Sequence, residues 1–209
     1  MSAAAPSIFG RIVTGDDVEQ WCLETLRRWS STYIAEVERQ HGLEPGKVAR
    51  IRAWVTGPSF DKWPEDQVPA VVLQSVGTAA QPLKDGQGRH RARFLMQLDC
   101  IAAARTQAET HTLSMLYAAA HRALLLQRPS LEGRAFGLRW LGDDYTQLPY
   151  DDVRSIAAAQ GTFEVEVDDV VTSGAGPTTP DDPLVPDTDP WPGWPTAETA
   201  DVVVTKEGG

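Results

Sequence analysis

The sequence predicts an α+β fold: a twisted, mainly antiparallel sheet with two long helices packed on one face, plus an extended C-terminal arm. Three observations predict it. Two stretches, opening near Asp16 and Thr106, repeat apolar residues at three- and four-residue steps, as amphipathic helices do. Between and after them lie short runs that alternate or stay apolar, as strands do. After Thr172 the chain turns rich in Pro, Asp, Thr and Gly, a composition that cannot bury enough apolar surface to fold alone.

The elements follow in order. Residues 1–14 read as a loose arm, small and uncharged until Arg11. Asp16 with Glu19 has the spacing of a capping box. From there Val18, Cys22, Leu26, Trp29, Tyr33 and Val37 form one apolar stripe, with Arg27, Arg28, Glu36, Glu38 and Arg39 on other faces. Gly42 is placed to end the helix in the left-handed conformation, with Leu43 folding back. Residues 49–56 alternate Ile51, Ala53 and Val55 against Arg50, Arg52 and Trp54, which predicts a half-exposed strand.

The loop-strand FDKWPEDQVPAVVLQSV, residues 60–76, comes next. Val68 to Leu73 is nearly unbroken apolar and predicts a central strand buried on both faces, with Pro69 tolerated only at its entry. The loop before it sets Phe60 and Trp63 beside Asp61, Glu65 and Asp66. Trp63 either presents an aromatic anchor to a partner or lids the core. Residues 78–88 carry Pro82, Asp85-Gly86 and Gly88 and predict a hairpin tip.

Residues 89–102 hold the longest alternation. Ala92, Phe94, Met96, Leu98 and Cys100 share one face; Arg89, Arg91, Arg93, Leu95, Gln97 and Asp99 share the other. A strand this long is expected to project beyond the core. Thr106 with Glu109 repeats the capping signature, and the helix packs through Leu113, Leu116, Tyr117, Ala120 and Leu124 before stopping ahead of Pro129. Residues 135–141 predict a short strand with Phe136, Leu138 and Trp140, followed by an acidic, aromatic loop, GDDYTQLPYDD. From Ser155 to Val171, Phe163, Val165 and Val167 point inward while Thr162, Glu164 and Glu166 point outward. The domain plan is therefore an arm at 1–14, a body at 15–172 and an acidic tail at 173–209.

The totals exclude several classes. A formal charge of −10 argues against a general DNA-binding surface, which needs clustered Lys and Arg. No run approaches the length needed to span a bilayer, so no membrane partner is expected. The first residues, MSAAAPSIFGR, lack a basic region followed by an apolar one, so no export signal is expected. Cys22 and Cys100 sit far apart in apolar patterns and read as buried free thiols.

Catalytic patterns are missing from the sequence. There is no CxxC, no GxSxG, no phosphate-binding loop and no dinucleotide glycine pattern. His111 and His121 fall ten residues apart on one helix, about 15 Å along its axis, too far to share a metal ion. The pairs Asp143-Asp144, Asp151-Asp152 and Asp168-Asp169 suit solvated turns better than a cation site. No cofactor, metal or catalytic residue is expected. Arg89, Arg91 and Arg93 form the one basic row. They are read as pairing with Glu164 and Glu166, whose periodicity matches, in preference to touching phosphate.

The tail holds seven acidic residues against Lys206, a net of about −6. Trp191 and Trp194, set between prolines, are candidates for docking the arm on a neighbouring subunit; the alternative is a tail that dangles.

The element order resembles that of the tail terminator (tail completion) proteins of long-tailed bacteriophages, especially those of actinobacterial hosts. The likeness covers roughly residues 15–172. It is carried by Phe60, Trp63-Pro64-Glu65-Asp66-Gln67, Pro69-Ala70-Val71-Val72, Gly86 with the basic row from Arg89, Tyr117-Ala118-Ala119-Ala120 through Gln127, and Phe163 to Val170. The tail does not map onto the family. The resemblance implies a virion protein, not an enzyme, assembled in the host cytoplasm and placed at the head–tail junction. It implies a homo-hexameric ring that caps the tail tube, ends tube growth and meets the head connector or a stopper protein. Genomic double-stranded DNA would pass through its lumen without sequence-specific binding. Candidate subunit or tube contacts are Trp63, Asp66, Lys84, Asp85, Gln87 and the basic row Arg89, Arg91 and Arg93, with Glu164 and Glu166 across from it. Alternatives are another head–tail joining protein, such as an adaptor or stopper, or a small metal-dependent enzyme built on the acidic loops.

Overall fold

The computed structural model describes residues 9–57, 65–79, 83–84, 90–148 and 155–173. The chain divides into a body, residues 11–172, and a second unit made of residues 1–10 and 173–209. Among the described residues the strands are β1 (Phe9–Ile12), β2 (Ala53–Thr56), β3 (Ala70–Thr78), β4 (Leu83–Lys84), β5 (His90–Ala104), β6 (Gly137–Leu148), β7 (Ser155–Val167) and β8 (Val171–Ser173). The helices are α1 (Gly15–Gln40) and α2 (Gln107–Gln127). The main sheet runs β2-β3-β5-β7-β6, with β4 also on β5; β1 and β8 form a separate two-stranded ribbon. The class is the expected α+β.

Helix α1 is capped by Thr14, not Asp16. The extended backbone of Thr14 lets its hydroxyl accept from the Asp17 N–H, while the Asp17 carboxylate accepts from the Thr14 N–H at 2.7 Å. Glu19, expected in the cap, is drawn inward instead and accepts the Ser75 N–H at 2.6 Å, fastening α1 to β3. The far end closes as expected. Gly42 has φ 65°, its N–H reaches the Arg39 carbonyl, and the Leu43 N–H reaches that of Glu38 at 2.9 Å. Helix α2 is capped by the Thr106 hydroxyl, which accepts the Glu109 N–H.

Both helices pack on one sheet face. There Val18, Cys22 and Leu26 of α1 and Tyr117, Ala120 and Leu124 of α2 meet Val71 and Leu73 of β3, the inward row of β5 and Phe163, Val165 and Val167 of β7. Each fully buried large apolar side chain contributes about 1.5–3 kcal/mol. Ala70 and Val72 point the other way, into a smaller cluster with Val68, Ile101 and Ile156. The apolar run at 68–73 is thus buried on both faces. It is not the central strand: β3 stands second, and β5 holds the centre between β3 and β7. Pro69 precedes the strand and only accepts, taking the Arg52 N–H at 2.8 Å.

Four further expectations are corrected. The strand predicted over 49–56 keeps only Ala53–Thr56, paired parallel to β3. The loop predicted after Leu141 is strand as far as Leu148, because β7 is long enough to pair with it throughout. Asp143 survives in that strand because Arg122 and the Trp140 indole N–H both bond its carboxylate. Phe136, predicted inside a strand, precedes β6 and is 62% exposed. The last strand ends at Val167, where Asp168 leads to Asp169 at φ 54° before β8 begins.

One close approach depends on glycine. Trp140 stacks on Phe163 with ring centroids 5.3 Å apart and lies across Gly161, where a Cβ would overlap the indole.

Candidate functional site

The face of the sheet away from the helices changes character along its length. At one end, where β5 begins and β7 ends, it is charged. Arg93 stands directly across from Glu166 in the β5–β7 register. Glu166 accepts Arg91 at 2.9 Å and faces Arg93 at 3.6 Å. Asp168, just past β7, takes the other side of the Arg91 guanidinium. Glu164 is held by Arg139 of β6 at 3.0 Å. Strand pairing explains the placement, since alternate residues on neighbouring strands share a face.

Arg91 and Arg93 of the basic row therefore pair with acidic residues inside the body. The partners are redistributed: Glu166 serves both Arg91 and Arg93, and Glu164 goes to Arg139. Among the described residues three arginines meet three carboxylates, so this cluster carries little net charge. The Asp168 hydrogen bond, ahead of the contribution of Glu166, further favours the charged form of Arg91. Arginines engaged in this way are poorly suited to gripping phosphate. Arg91 also lies over the Phe136 ring, 4.2 Å from its centre. A depression of about 220 Å³ opens here, lined by Arg93, Phe136, Gly137, Leu138, Arg139, Glu164 and Glu166.

Of the other predicted contact residues, Asp66 is exposed on the short turn Glu65–Gln67, and Lys84 lies in β4. Among the described residues no bond links Asp66 to the charged end. Phe60, Trp63, Pro64, Asp85, Gln87, Arg89, Asp151, Asp152, Trp191 and Trp194 lie outside the described residues. Sequence reasoning missed Phe136, Arg139 and Asp168 as members of the cluster. Arg139 carried a signal, alternating with Leu138 and Trp140. Phe136 carried a misleading one, an aromatic at the head of an apolar run.

A second cluster is buried between the layers. His121 has Ser30 Oγ 2.8 Å from Nε2 and Cys100 Sγ 3.5 Å from Nδ1, with the Trp54 ring edge-on at 5.8 Å. The trio has the residue types of a nucleophile and base, but the wrong environment. Burial pushes the Cys100 thiol up and the His121 imidazole down to about 4, opposite to what an activated thiolate needs. His121 and Cys100 are fully buried, so no substrate reaches them. Cys22 is likewise a buried free thiol.

Among the described residues no group of three or more His, Cys, Asp or Glu is arranged to hold a metal ion, and no helix is long and apolar enough to cross a membrane. No family model matches the chain, and no curated protein matches it.

Proposed function

We propose that this chain is a structural subunit of a long-tailed phage virion, a tail-terminator-like protein that forms a ring on the tail tube. The ring ends tube growth and offers its other side to the head connector. The observation that supports the reading most is the element order of the body. A capped helix, a short strand, the loop-strand carrying Pro69 to Val72, a long strand and a second helix follow one another in the order on which the resemblance rests, although the acidic loop of that order is strand. The charged end of the sheet fits the same reading. Its arginines and carboxylates neutralise one another around a depression of only about 220 Å³, smaller than an ordinary small-molecule pocket, which suits contact with another protein better than enclosing a small substrate.

In this reading a heterologous contact between subunits closes into a ring, whereas the tube below grows by an open repeat. The tube-facing and neighbour-facing candidates remain Trp63, Asp66, the hairpin with Lys84, Asp85 and Gln87, and the row Arg89, Arg91 and Arg93 with Glu164 and Glu166. Trp191 and Trp194 remain candidates for docking the arm on a neighbour. The acidic balance of the chain suits a lumen through which DNA slides.

Labelling the chain in purified particles tests the proposal. A gold-tagged subunit should appear at the head–tail junction by electron microscopy. A label at the tail tip, or none on the particle, would overturn it. A label at the junction of particles whose tubes are capped by a different protein would move the reading to an adaptor or stopper.

A further inference from the structure

The two edges of the main sheet are finished differently. The β2 edge is four residues long, and α1 reaches onto it: Arg27 donates to the Trp54 carbonyl at 3.1 Å and Gln20 to the Thr56 hydroxyl at 3.4 Å. The β6 edge is twelve residues long, and among the described residues no strand pairs with its outer side. Exposed apolar side chains gather there: Phe136 just before the strand, Leu141 at 45% and Tyr145 at 42% within it. A long edge with exposed apolar side chains and, among the described residues, no strand on its outer side is a template for another strand.

The sequence of β6 is complementary to itself. Suppose a second β6 lies antiparallel on the first, with a two-fold axis between Leu141 and Gly142. Arg139 then faces Asp144 of the other copy, and Leu138 faces Tyr145. Each pair occurs twice. The faces agree as well. Arg139 and Asp144 stand opposite Glu164 and Gln160 of β7, on the side away from the helices. Leu138 packs on the helix-side core, and Tyr145 meets His111 of α2 edge-on at 6.3 Å, so both lie on the helix side. One register therefore brings unlike charges together on one face and Leu138 with Tyr145 on the other, where Trp140 faces an Asp143 already held by Arg122. No like charges stand directly opposed in it. The Arg139 side chain is 67% exposed and Asp144 is exposed, so both can reach across.

We propose that the β6 edge is a self-association surface, on which a second copy of this chain pairs β6 against β6 in that register. An isologous contact of this kind stops at two, because it uses the same edge of both copies. It describes the free subunit, does not rest on the ring reading, and hides a strand edge that would otherwise invite aggregation.

The test uses the full chain. Sedimentation velocity across a hundredfold range of concentration should show twice the mass of one chain at the upper end. Asp144→Lys, which sets a lysine against Arg139 of the other copy, should weaken the dimer at least tenfold. Register is tested by mixing two single variants, Arg139→Cys and Asp144→Cys, under mild oxidation. The mixture should give a disulfide-linked dimer, and neither variant alone should give one. The native Cys22 and Cys100 are buried and do not compete. A chain that stays monomeric throughout overturns the proposal. So does a dimer in which the mixture cross-links no better than the single variants. Six-fold rings forming from the chain alone, with Asp144→Lys without effect, would overturn this pair and leave the ring reading standing.

Discussion

On the helix side of β5, Ala92, Phe94, Met96, Leu98, Cys100 and Ala102 are all at most 6% exposed. On the other side the same strand runs from Arg91 and Arg93 through Gln97 and Asp99 to Ile101. One strand thus serves two surfaces. The helix side is held by packing, where each side chain has only the space its neighbours leave. The other side is held at its charged end by backbone pairing and by polar contacts between adjacent strands, which are individually weak, and at the Ile101 end by the smaller apolar cluster. Substitutions on the helix side should therefore threaten the fold. Substitutions at the charged end of the other side should leave the fold intact and change what the protein associates with.

The largest expected effect is at Gly161. Gly161→Val places branched carbons where Trp140 lies against the sheet, breaking the Trp140–Phe163 stack. A loss of about 3 kcal/mol is expected, read as a lowered urea midpoint with an unchanged slope. A loss under about 1 kcal/mol would mean that the indole is free to move aside, and the packing contrast between the faces would weaken.

His121 comes next. Its imidazole is pushed down to about 4 in the fold, chiefly by burial, against an ordinary value of 6.5. The unfolded chain binds the extra proton between those values, so stability should be full above pH 6.5 and fall as pH drops through 6.5 towards 4. The loss is on the order of 3 kcal/mol, at about 1.4 kcal/mol per pH unit. Urea melts of wild type and His121→Leu over this range check it. The pH dependence should flatten in the variant, and an unchanged profile would remove His121 as its cause.

Asp99 is the counterpart on the other face, with the opposite sign. Burial raises its carboxyl above the ordinary value, partly offset by the amide hydrogens of Gln160 and Gln97. The folded chain holds that proton more tightly, so the contribution declines as pH rises past the unfolded value near 3.8. Asp99→Asn should therefore cost nothing at pH 7 and raise stability by up to about 1 kcal/mol. A clear loss would show that the charged form is the one the fold prefers.

The smallest stability effect belongs to the charged end. Glu166→Gln should cost about 0.5–1 kcal/mol, since its partners Arg91 and Arg93 are partly exposed, and the cost should shrink in high salt. A cost of several kcal/mol would make these pairs part of the core and unfit as a surface for association.

Much of this division could be read from the residues. The period-two rows of β5 and β7 fixed which side chains face the helices, because strand geometry allows no other alternation. Both long helices, the Thr106 cap and the Gly42 end followed from local chemistry, whereas the first cap, expected at Asp16, sits at Thr14. Contacts distant in sequence were not legible. Nothing local says that GDDYT continues as strand; the length of β7 decides it. Nothing local says that Glu19 turns inward to Ser75, or that His121, Ser30 and Cys100 meet. In the charged cluster, the rows were legible and the exact partners were not, since the register is set by the whole sheet.

The proposed role is tested most directly by tail length in particles made without this protein. Deleting the gene and measuring tubes by electron microscopy should yield headless tubes of broadly distributed, excessive length, with filled heads left tailless. Tails of normal length, joined to heads, would contradict a role in ending tube growth.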